Sequence, residues 1–349
     1  MAKGIVIRGH FDKVTGYGVL ASGLAEILIK SGLTVSLLPI DKCGELPKML
    51  GDAVNKEVNP VFEIYAQPEF TLYNPEKVKH PRIWLTMLES TGLSNVGKAE
   101  MTKTDGILVS NRESVAVISA SLNRTKGIGY CPLWCDYAEF RDGIENRKDK
   151  NKDTFTFGYV FDIYPDFDKG DRKNVMCLIR AFQKAFAGNT KVRLVLKTGE
   201  HTDIPELDDD RIDVIRGTLA RSELVTLIQG LDAYVSPARA EGWGWCVINA
   251  IAAGVPVIGV PAFGVGEYLQ EGVNGKRLDY YWGSVPKHCV QRGMWPYIDE
   301  EHLIYLLRTA PDWAGALDKA RISGSVEYYR KRYFTHRFLN TISGILYED

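Results

Sequence analysis

Short apolar runs alternate with amphipathic segments along most of the chain. Residues 4–8 form an apolar run, and residues 18–30 then carry leucine and isoleucine at helical spacing before Gly32. The next predicted strands are 33–40, 83–88 and 106–110, and the predicted helices end at 104 and span 112–121. Strands that alternate with helices predict a parallel sheet covered on both faces.

A second series of the same kind follows a charged and polar segment, residues 139–153, which has little to bury and is predicted to be a linker. The predicted strands are 155–160, 192–197, 212–215, 233–237 and 255–260, the helices are 174–186, 221–229 and 247–253, and the end from Pro311 is helical. The pattern predicts α/β domains over 1–145 and 153–325. Two doubly wound domains are expected to place a cleft between the carboxyl edges of their sheets.

Length and composition agree with two domains. The chain has 349 residues, 45% hydrophobic and 25% charged, and single cores stop growing at roughly 250 residues. The net charge of −1 provides no global field for nucleic acid or an anionic membrane. The six cysteines lack zinc-type spacing, since Cys131 and Cys135 have no matching His/Cys pair. We predict reduced thiols in a cytoplasmic protein without a signal peptide.

Residues 242–266 contain no charged residue and raise the question of a membrane span. Glycines and prolines interrupt the segment repeatedly, among them Gly254, Pro256, Gly259 and Pro261. A spanning helix needs about 20 uninterrupted apolar residues. The segment is therefore predicted to be a buried helix, a turn and a buried strand, and no integral membrane segment is expected.

The strongest candidate for chemistry follows the predicted strand 233–237. Glu241 comes first, then Gly242, Trp243 and Gly244, and then a helix. A carboxylate accepts hydrogen bonds from sugar hydroxyls, glycines let a ligand approach the backbone, and a helix N-terminus carries roughly half a positive charge. Taken alone, the segment is equally consistent with a capping loop that contains an incidental acid.

This segment resembles the family-4-type retaining glycosyltransferases (group 1), whose second domain carries Glu-Gly-Phe-Gly and then Gly-x-Pro-Val-Ile. Further segments resemble the family in the same order along the chain: Thr15-Gly-Tyr-Gly, Met87-Leu-Glu-Ser, Asp105-Gly-Ile-Leu-Val-Ser, Asp171-Arg-Lys-Asn and Phe263-Gly-Val-Gly-Glu. The resemblance implies a GT-B fold, in which two Rossmann-like domains face a cleft and a C-terminal helix, 326–349, crosses back to the first domain. It also implies transfer of a sugar from a nucleoside diphosphate donor, with UDP- or GDP-sugars as the expected co-substrates and no metal or other cofactor.

The resemblance also suggests roles for individual residues. Lys173 and Arg172 would neutralise the donor diphosphate, and Glu241 would hold the donor sugar. Further donor-binding candidates are Gly16, Tyr17, Gly18, Gly242, Trp243, Gly244, Gly264, Val265, Gly266 and Glu267. His10 and Glu89 follow predicted strands in the first domain and are candidates for the acceptor side. Residues 134–140 resemble the family's crossing between the domains.

One position departs from the family pattern. The family has a second glutamate eight residues after the first, where it contacts the nucleotide ribose, and this chain has Asn249 there. A neutral hydrogen bond contributes about 1 kcal/mol, against roughly 1.5–3 kcal/mol for a charge-assisted one. We expect Asn249 to contact the ribose with weaker nucleotide binding or an altered donor preference. A catalytically silent nucleotide-sugar binder is the alternative.

The acceptor is not identified by the sequence and is expected to be a glycan, a lipid or a protein. A modified base in DNA is an alternative, for which basic residues could line a groove: Lys126, Arg147, Lys148, Lys150, Lys152, Arg330, Lys331 and Arg332. A dinucleotide-binding reading also exists, because Gly16-Tyr-Gly-Val-Leu-Ala precedes Asp41 at suitable spacing. However, residues 10–15 separate the first glycine from its strand, and the dinucleotide motif requires a tight turn there.

Overall fold

The structure is a computed structural model and describes residues 1–11, 15–42, 44–69, 71, 79–142, 144, 153–163, 172–200, 202 and 204–347. These residues form two compact units. Unit 1 comprises Met1–Leu133, Gln291–Gly293 and Lys331–Asp349, and unit 2 comprises Trp134–Val290 and Met294–Arg330. Most of the predicted linker, with Arg147, Lys148, Lys150 and Lys152, and Asp171 of the Asp-Arg-Lys-Asn motif lie outside the described residues.

Unit 1 is built on a six-stranded parallel sheet in the order β2-β1-β3-β4-β5-β6. Its strands are β1 Lys3–Gly9, β2 Val35–Pro39, β3 Asn59–Ala66, β4 Arg82–Thr86, β5 Gly106–Val109 and β6 Ile128–Tyr130. The helices that connect them are α1 Gly16–Lys30, α2 Lys48–Gly51, α3 Asn95–Met101 and α4 Arg112–Leu122. The chain passes from β1 to its neighbour β2 on one side and from β3 to its neighbour β4 on the other side. The connections therefore diverge between β1 and β3.

Unit 2 contains a second six-stranded parallel sheet in the order β12-β11-β10-β7-β8-β9. Its strands are β7 Phe155–Val160, β8 Val192–Lys197, β9 Ile212–Ile215, β10 Ala233–Ser236, β11 Val257–Gly259 and β12 Gly275–Arg277, and an antiparallel hairpin adds β13 Tyr280–Ser284 and β14 Met294–Ile298. The helices are α5 Tyr137–Arg141, α6 Val175–Ala185, α7 Arg221–Gln229, α8 Trp245–Ala252, α9 Phe263–Gly266, α10 Glu300–Ala314 and α11 Lys319–Gly324. This strand order is the Rossmann order, with the reversal between β7 and β10.

The last helix, α12 Lys331–Tyr347, packs on unit 1. Ile345 lies over β5 and β6, where Gly106 and Gly129 have no side chain that would exclude it. Ser31, at the end of α1, shares a 2.8 Å hydrogen bond with Thr335. The predicted return of the C-terminal helix to the first domain is confirmed.

The predicted start of the helical end at Pro311 is wrong. Helix α10 already begins at Glu300, where the Asp299 side chain accepts hydrogen bonds from the Glu301 and His302 backbones and caps the helix. Pro311 lies within the last turn, where a missing N–H removes only one backbone hydrogen bond. Among the described helices, none combines the length and apolar character needed to cross a lipid bilayer.

Candidate active site

The sheet of unit 2 brings Lys173 and Glu241 together. Strands β7 and β10 are parallel neighbours at the reversal of the strand order. The loops that follow them therefore begin at the same carboxyl edge of the sheet. Lys173 ends the loop after β7 and Glu241 stands in the loop after β10. The Lys173 ammonium donates a hydrogen bond to Glu241 Oε1, and the two side chains are only 10% and 18% exposed. Ligands bind at this kind of edge in open α/β sheets.

Backbone contacts hold the two loops against each other. The amide of Arg239 donates to the Arg172 carbonyl at 2.9 Å, and the Asn174 side chain donates to the Pro237 carbonyl at 3.3 Å. The buried Tyr159 hydroxyl donates to the Lys173 carbonyl at 3.1 Å. Asn174 adopts a left-handed conformation, with φ of 54°, directly before α6. The position of Lys173 is therefore set by both loops and by a side chain of β7.

A small, partly open pocket lies beside Glu241. Its lining includes Arg239, Phe263, Val265 and Pro296. The Arg239 guanidinium lies 4.6 Å from the centre of the Tyr297 ring, a cation–π contact that orients the side chain. The Arg172 guanidinium donates to the Ala240 carbonyl at 3.4 Å. Three cations, Arg172, Lys173 and Arg239, therefore lie at the same edge of the sheet as the Glu241 carboxylate.

The neighbouring titratable groups of unit 2 are held neutral. Burial, together with the negative charge of Glu241, raises the pKa of Tyr159 well above its usual value. The same two causes raise the pKa of the Cys246 thiol to about 11. Tyr159 therefore acts as a neutral hydrogen-bond donor and Cys246 as an un-ionised thiol, so neither provides a nucleophile at neutral pH.

The glycines after Glu241 serve close packing between two turns. A Cβ on Gly264 would lie 2.4 Å from Trp243 Cα and 2.5 Å from the Gly242 carbonyl oxygen. Gly244 has a φ of 79°, and the Tyr268 hydroxyl donates to the carbonyls of Trp243 and Gly244 at 2.7 and 3.0 Å. These contacts fix the turn that directly follows Glu241.

Several predicted donor-binding residues contribute to packing in this region. Trp243 is buried and donates its indole N–H to the Trp134 carbonyl at 3.0 Å. Val265 is also buried and reaches the pocket, while Gly266 lies against the Pro261 carbonyl. Glu267 follows α9, and its carbonyl accepts a 2.9 Å hydrogen bond from the Tyr329 hydroxyl.

Asn249 lies on α8, and its side chain contacts Asp136. Its Oδ1 accepts the Asp136 backbone N–H at 3.0 Å, and its Nδ2 lies 3.4 Å from the Asp136 carboxylate. That carboxylate also receives the Arg221 guanidinium at 2.5 Å. Asn249 is only 3% exposed, and its hydrogen bond to Asp136 joins α8 to the segment before α5.

The first-domain candidates lie at the carboxyl edge of the unit 1 sheet. Thr15 caps α1 by accepting the Gly18 N–H at 3.0 Å, and Gly16 has open space apart from Met87 Cε at 3.9 Å. The Tyr17 hydroxyl shares a 2.9 Å bond with Thr86 and accepts the Met87 N–H at 2.9 Å, and burial raises its pKa. This phenol therefore joins α1 to the end of β4.

The two acceptor-side candidates have partners of their own in unit 1. His10 Nδ1 lies 2.8 Å from the Asp41 carboxylate, and the Glu89 carboxylate accepts a 3.4 Å hydrogen bond from Gln291. Asp41, the acidic residue of the alternative dinucleotide-binding motif, is thus paired with His10. The sequence missed Gln291 because 202 residues separate it from Glu89.

Other site residues also escaped the sequence analysis. Arg239 stands two residues before Glu241, and its position in the same loop was a usable signal. Pro296 of β14 had no such signal, because only the fold brings the hairpin to the pocket. Among the described residues, no group of three or more His, Cys, Asp or Glu side chains has an arrangement that could hold a metal ion.

The carboxyl group of Glu69, which follows β3, is expected to make the stability of the folded protein depend on pH. Burial raises the pKa of this carboxyl above 4.5, although Ser94 donates two hydrogen bonds to its Oε2. The folded protein therefore binds this proton more tightly than the unfolded chain, and the contribution of Glu69 to stability falls as pH rises from 4.5 through the folded-state pKa. Glu69→Gln removes this loss. We expect the melting temperature of the variant, relative to the wild type, to increase between about pH 4 and about pH 8.

Thermal unfolding of both proteins across this pH series checks the prediction. A difference in melting temperature that stays constant over the series would show that the Glu69 carboxyl titrates alike in the folded and unfolded chains.

Comparisons with known proteins agree with this architecture. Residues 165–281 match the family of glycosyl transferases group 1. Over 108 residues the chain is 34% identical to a GDP-mannose-dependent alpha-mannosyltransferase of Corynebacterium glutamicum. That alignment covers 31% of this chain, which spans about a quarter (25%) of the length of that relative.

Solved structures match over nearly the whole chain. A glycosyltransferase of Rickettsia africae superposes with a TM-score of 0.69 at 10% identity, covering 100% of both chains. Anabaena HepE in complex with UDP-glucose superposes with a TM-score of 0.67 at 12% identity, covering 98% of this chain and 100% of its own. With two Rossmann-like parallel sheets and a C-terminal helix on the first, the chain has the GT-B fold of these enzymes, and its second unit contains a segment similar to the group 1 glycosyl transferases.

Proposed function

We propose that this protein is a retaining, family-4-type glycosyltransferase that moves a sugar from a nucleoside diphosphate donor to an acceptor hydroxyl. The observation that carries the proposal is the Lys173–Glu241 pair at the strand reversal of unit 2. It lies within residues 165–281, which match the group 1 family. UDP- and GDP-sugars are the proposed donors, since HepE is bound to UDP-glucose and the Corynebacterium relative is named for GDP-mannose.

In this proposal, fixed cations stabilise the leaving group. The bond between the anomeric carbon and the diphosphate oxygen breaks, and the new bond forms to the acceptor oxygen on the same face. The acceptor proton passes to the departing diphosphate. Lys173 and Arg172 balance the charge that grows on the diphosphate, and charge stabilisation of this type is usually the largest single contribution to catalysis. In this proposal, Lys173 and Arg172 stabilise the leaving diphosphate in place of a metal ion.

Glu241 is the proposed partner of the donor sugar. Its carboxylate borders the pocket, and a carboxylate accepts hydrogen bonds from sugar hydroxyls. Arg239 and Phe263 line the same pocket and are proposed to shape it around the sugar. The glycine turn, including Gly242 and Gly244, would hold Glu241 in position while the donor binds.

The nucleotide ribose is proposed to bind near Asn249. The Nδ2 atom is the proposed donor to a ribose hydroxyl, because its contact with the Asp136 carboxylate is long, at 3.4 Å, and the ribose could replace it. The Oδ1 atom keeps its 3.0 Å bond to the Asp136 backbone. We expect the nucleotide to bind more weakly than it would to a carboxylate at this position.

Unit 1 is the proposed acceptor side, with a glycan, lipid or protein hydroxyl as acceptor. Gly16 leaves open space at the start of α1, and His10 and Glu89 follow the ends of β1 and β4. A cytoplasmic location is part of the same proposal.

A donor panel tests the proposed function. Purified protein is incubated with UDP-, GDP- and ADP-sugars, and release of the nucleoside diphosphate is followed together with the thermal shift. We expect slow hydrolysis of a UDP- or GDP-sugar and no hydrolysis by Glu241→Ala. Consumption of no donor would refute the transferase, and a donor that stabilises the protein without being consumed would identify a silent nucleotide-sugar binder.

A further inference from the structure

The β13–β14 hairpin of unit 2 lies outside the six-stranded sheet and forms a two-stranded sheet of its own. The match to the group 1 family ends at Tyr281, within β13, so most of the hairpin lies beyond the matched segment. Tyr281, Trp282 and Met294 are large hydrophobic residues that the fold leaves exposed on this hairpin. Exposed apolar groups that lie together mark surfaces that bind a ligand or a partner. The hairpin is therefore a candidate binding element for which the family match does not account.

One face of the hairpin continues the wall of the pocket beside Glu241. In the antiparallel register Trp282 stands opposite Pro296, which lines that pocket, and opposite residues share a face of the sheet. The Trp282 ring also lies 5.9 Å from the Phe263 ring, centre to centre and edge to face. Phe263 lines the same pocket. Trp282 therefore adjoins the pocket wall both through the strand pairing and through a ring contact.

The orientation of the Trp282 ring is fixed, yet part of its surface stays accessible. Tyr280 packs edge to face against it at 5.4 Å between ring centres, in addition to the contact with Phe263. The residue keeps 39% of its surface exposed. A ring that is already held by two neighbours loses little conformational freedom when a ligand covers it, so less entropy opposes binding. Trp282 is a preorganised apolar surface at the border of the pocket.

The chemistry of this face matches a sugar ring. Side chains alternate between the two faces of a strand, so Tyr280 and Ser284 share a face with Trp282 and carry one hydroxyl group on either side of it. A pyranose has the same division, because its C–H groups form an apolar patch and its hydroxyl groups form a polar rim. Strands β13 and β14 contain no charged residue, which disfavours a phosphate or carboxylate ligand on this face.

We propose that Trp282, with Tyr280 and Ser284 beside it, forms a subsite that stacks against one face of a pyranose ring of the acceptor. The assignment rests on the proposed function, in which the adjoining pocket holds the donor sugar beside Glu241. It specifies the acceptor as a neutral glycan or another glycoside. The indole supplies the apolar contact, and the flanking hydroxyl groups form hydrogen bonds with the sugar hydroxyls.

Binding of glycosides to the full-length protein tests the subsite. The probes are methyl β-D-glucopyranoside and methyl β-D-galactopyranoside, with uridine and guanosine as the comparison because nucleobases also stack on aromatic rings. Saturation-transfer NMR measures which ligand protons approach the protein. We expect at least one glycoside to bind, with stronger saturation at the C–H protons of one ring face than at the methoxy group.

Substitutions in β13 locate the binding. Trp282→Ala should weaken the glycoside by about tenfold or more, because it removes the stacking surface, whereas Trp282→Phe should retain most of the affinity. Tyr281→Ala is the matched control, since Tyr281 lies on the opposite face of the same strand, is 63% exposed and stacks on Tyr297. The control should bind the glycoside like the wild type. Melting temperatures show whether each variant is folded.

Three results would overturn the subsite: neither glycoside binds, Trp282→Ala binds them as well as the wild type, or Trp282→Ala and Tyr281→Ala lose binding alike. Nucleoside binding that depends on Trp282, with glycoside binding that does not, would assign the indole to a nucleobase instead. The saturation pattern of the wild type tests the subsite even if a substitution disturbs the hairpin. Donor hydrolysis by the wild type tests the transferase separately, so failure of the subsite and failure of the proposed function are distinguishable.

Discussion

Replacing Lys173 with methionine is expected to lower the turnover of the nucleoside diphosphate donor by about 10²–10³-fold. Lys173 is the fixed cation that we place against the leaving diphosphate, and removing one such group from a preorganised site has an effect of this size. Methionine keeps most of the side-chain length and removes only the charge and the hydrogen bonds. The measurement is steady-state release of the nucleoside diphosphate from the donor that the panel identifies.

Loss of stability has to be separated from loss of chemistry, because Lys173→Met leaves the Glu241 carboxylate without this partner. The double variant Lys173→Met/Glu241→Gln removes both charges and should recover stability without recovering turnover. Lys184→Met is the control for the substitution itself, since Lys184 makes a 2.7 Å ion pair with Glu300 on the surface. Turnover by Lys173→Met within about tenfold of the wild type would contradict the assigned role.

The second large effect is expected for Gly264→Ala. The added methyl group would lie 2.4 Å from Trp243 Cα and 2.5 Å from the Gly242 carbonyl oxygen. Both are backbone atoms, and the Tyr268 hydroxyl holds the same turn through two carbonyls. Overpacking of this kind costs about 1–3 kcal/mol or more, so the melting temperature should fall by roughly 3–10 °C. Turnover should fall as well, because Glu241 precedes the displaced turn.

Gly324→Ala provides the matched comparison for thermal unfolding and donor turnover. Gly324 ends α11, and a Cβ there meets no atom within 4 Å. Alanine is favoured over glycine in helices by about 1 kcal/mol, so this variant should melt at the same or a higher temperature with normal turnover. If Gly264→Ala behaved like Gly324→Ala in both measurements, the turn would not determine the position of Glu241.

The pattern of the sequence was sufficient for the fold class but not for every strand. Apolar runs such as β7 and β8 and the helical spacing of α1 are local properties, so the alternation of strands and helices is readable without the fold. Strand β3, Asn59–Ala66, was not predicted, although it lies at the centre of the unit 1 sheet. It begins with an asparagine and a proline and carries Glu63, whose carboxylate pairs with Arg8 and lies 3.2 Å from His80 Nε2, both from other segments.

The sequence also predicted Lys173 and Glu241 as site residues, because each stands in a recognisable motif after a predicted strand. That they bond to each other was decided by the tertiary structure, which places β7 beside β10. The same holds for Asn249, which the motif assigned to the ribose and which the fold bonds to Asp136, 113 residues away. A motif specifies which residue types stand near a ligand, and the partners of each side chain depend on contacts distant in sequence.

The sequence by itself determined the fold class and the order of the motifs, and it predicted Lys173 and Glu241 as site residues. Only the tertiary structure decided that the Tyr17 hydroxyl bonds to the end of β4, that Gly264 packs against backbone, and that Trp282 contacts Phe263 beside the pocket. Periodicity reports which face of an element is apolar, and that is a local property of the chain. Hydrogen-bond satisfaction and close packing depend on segments that only folding brings together.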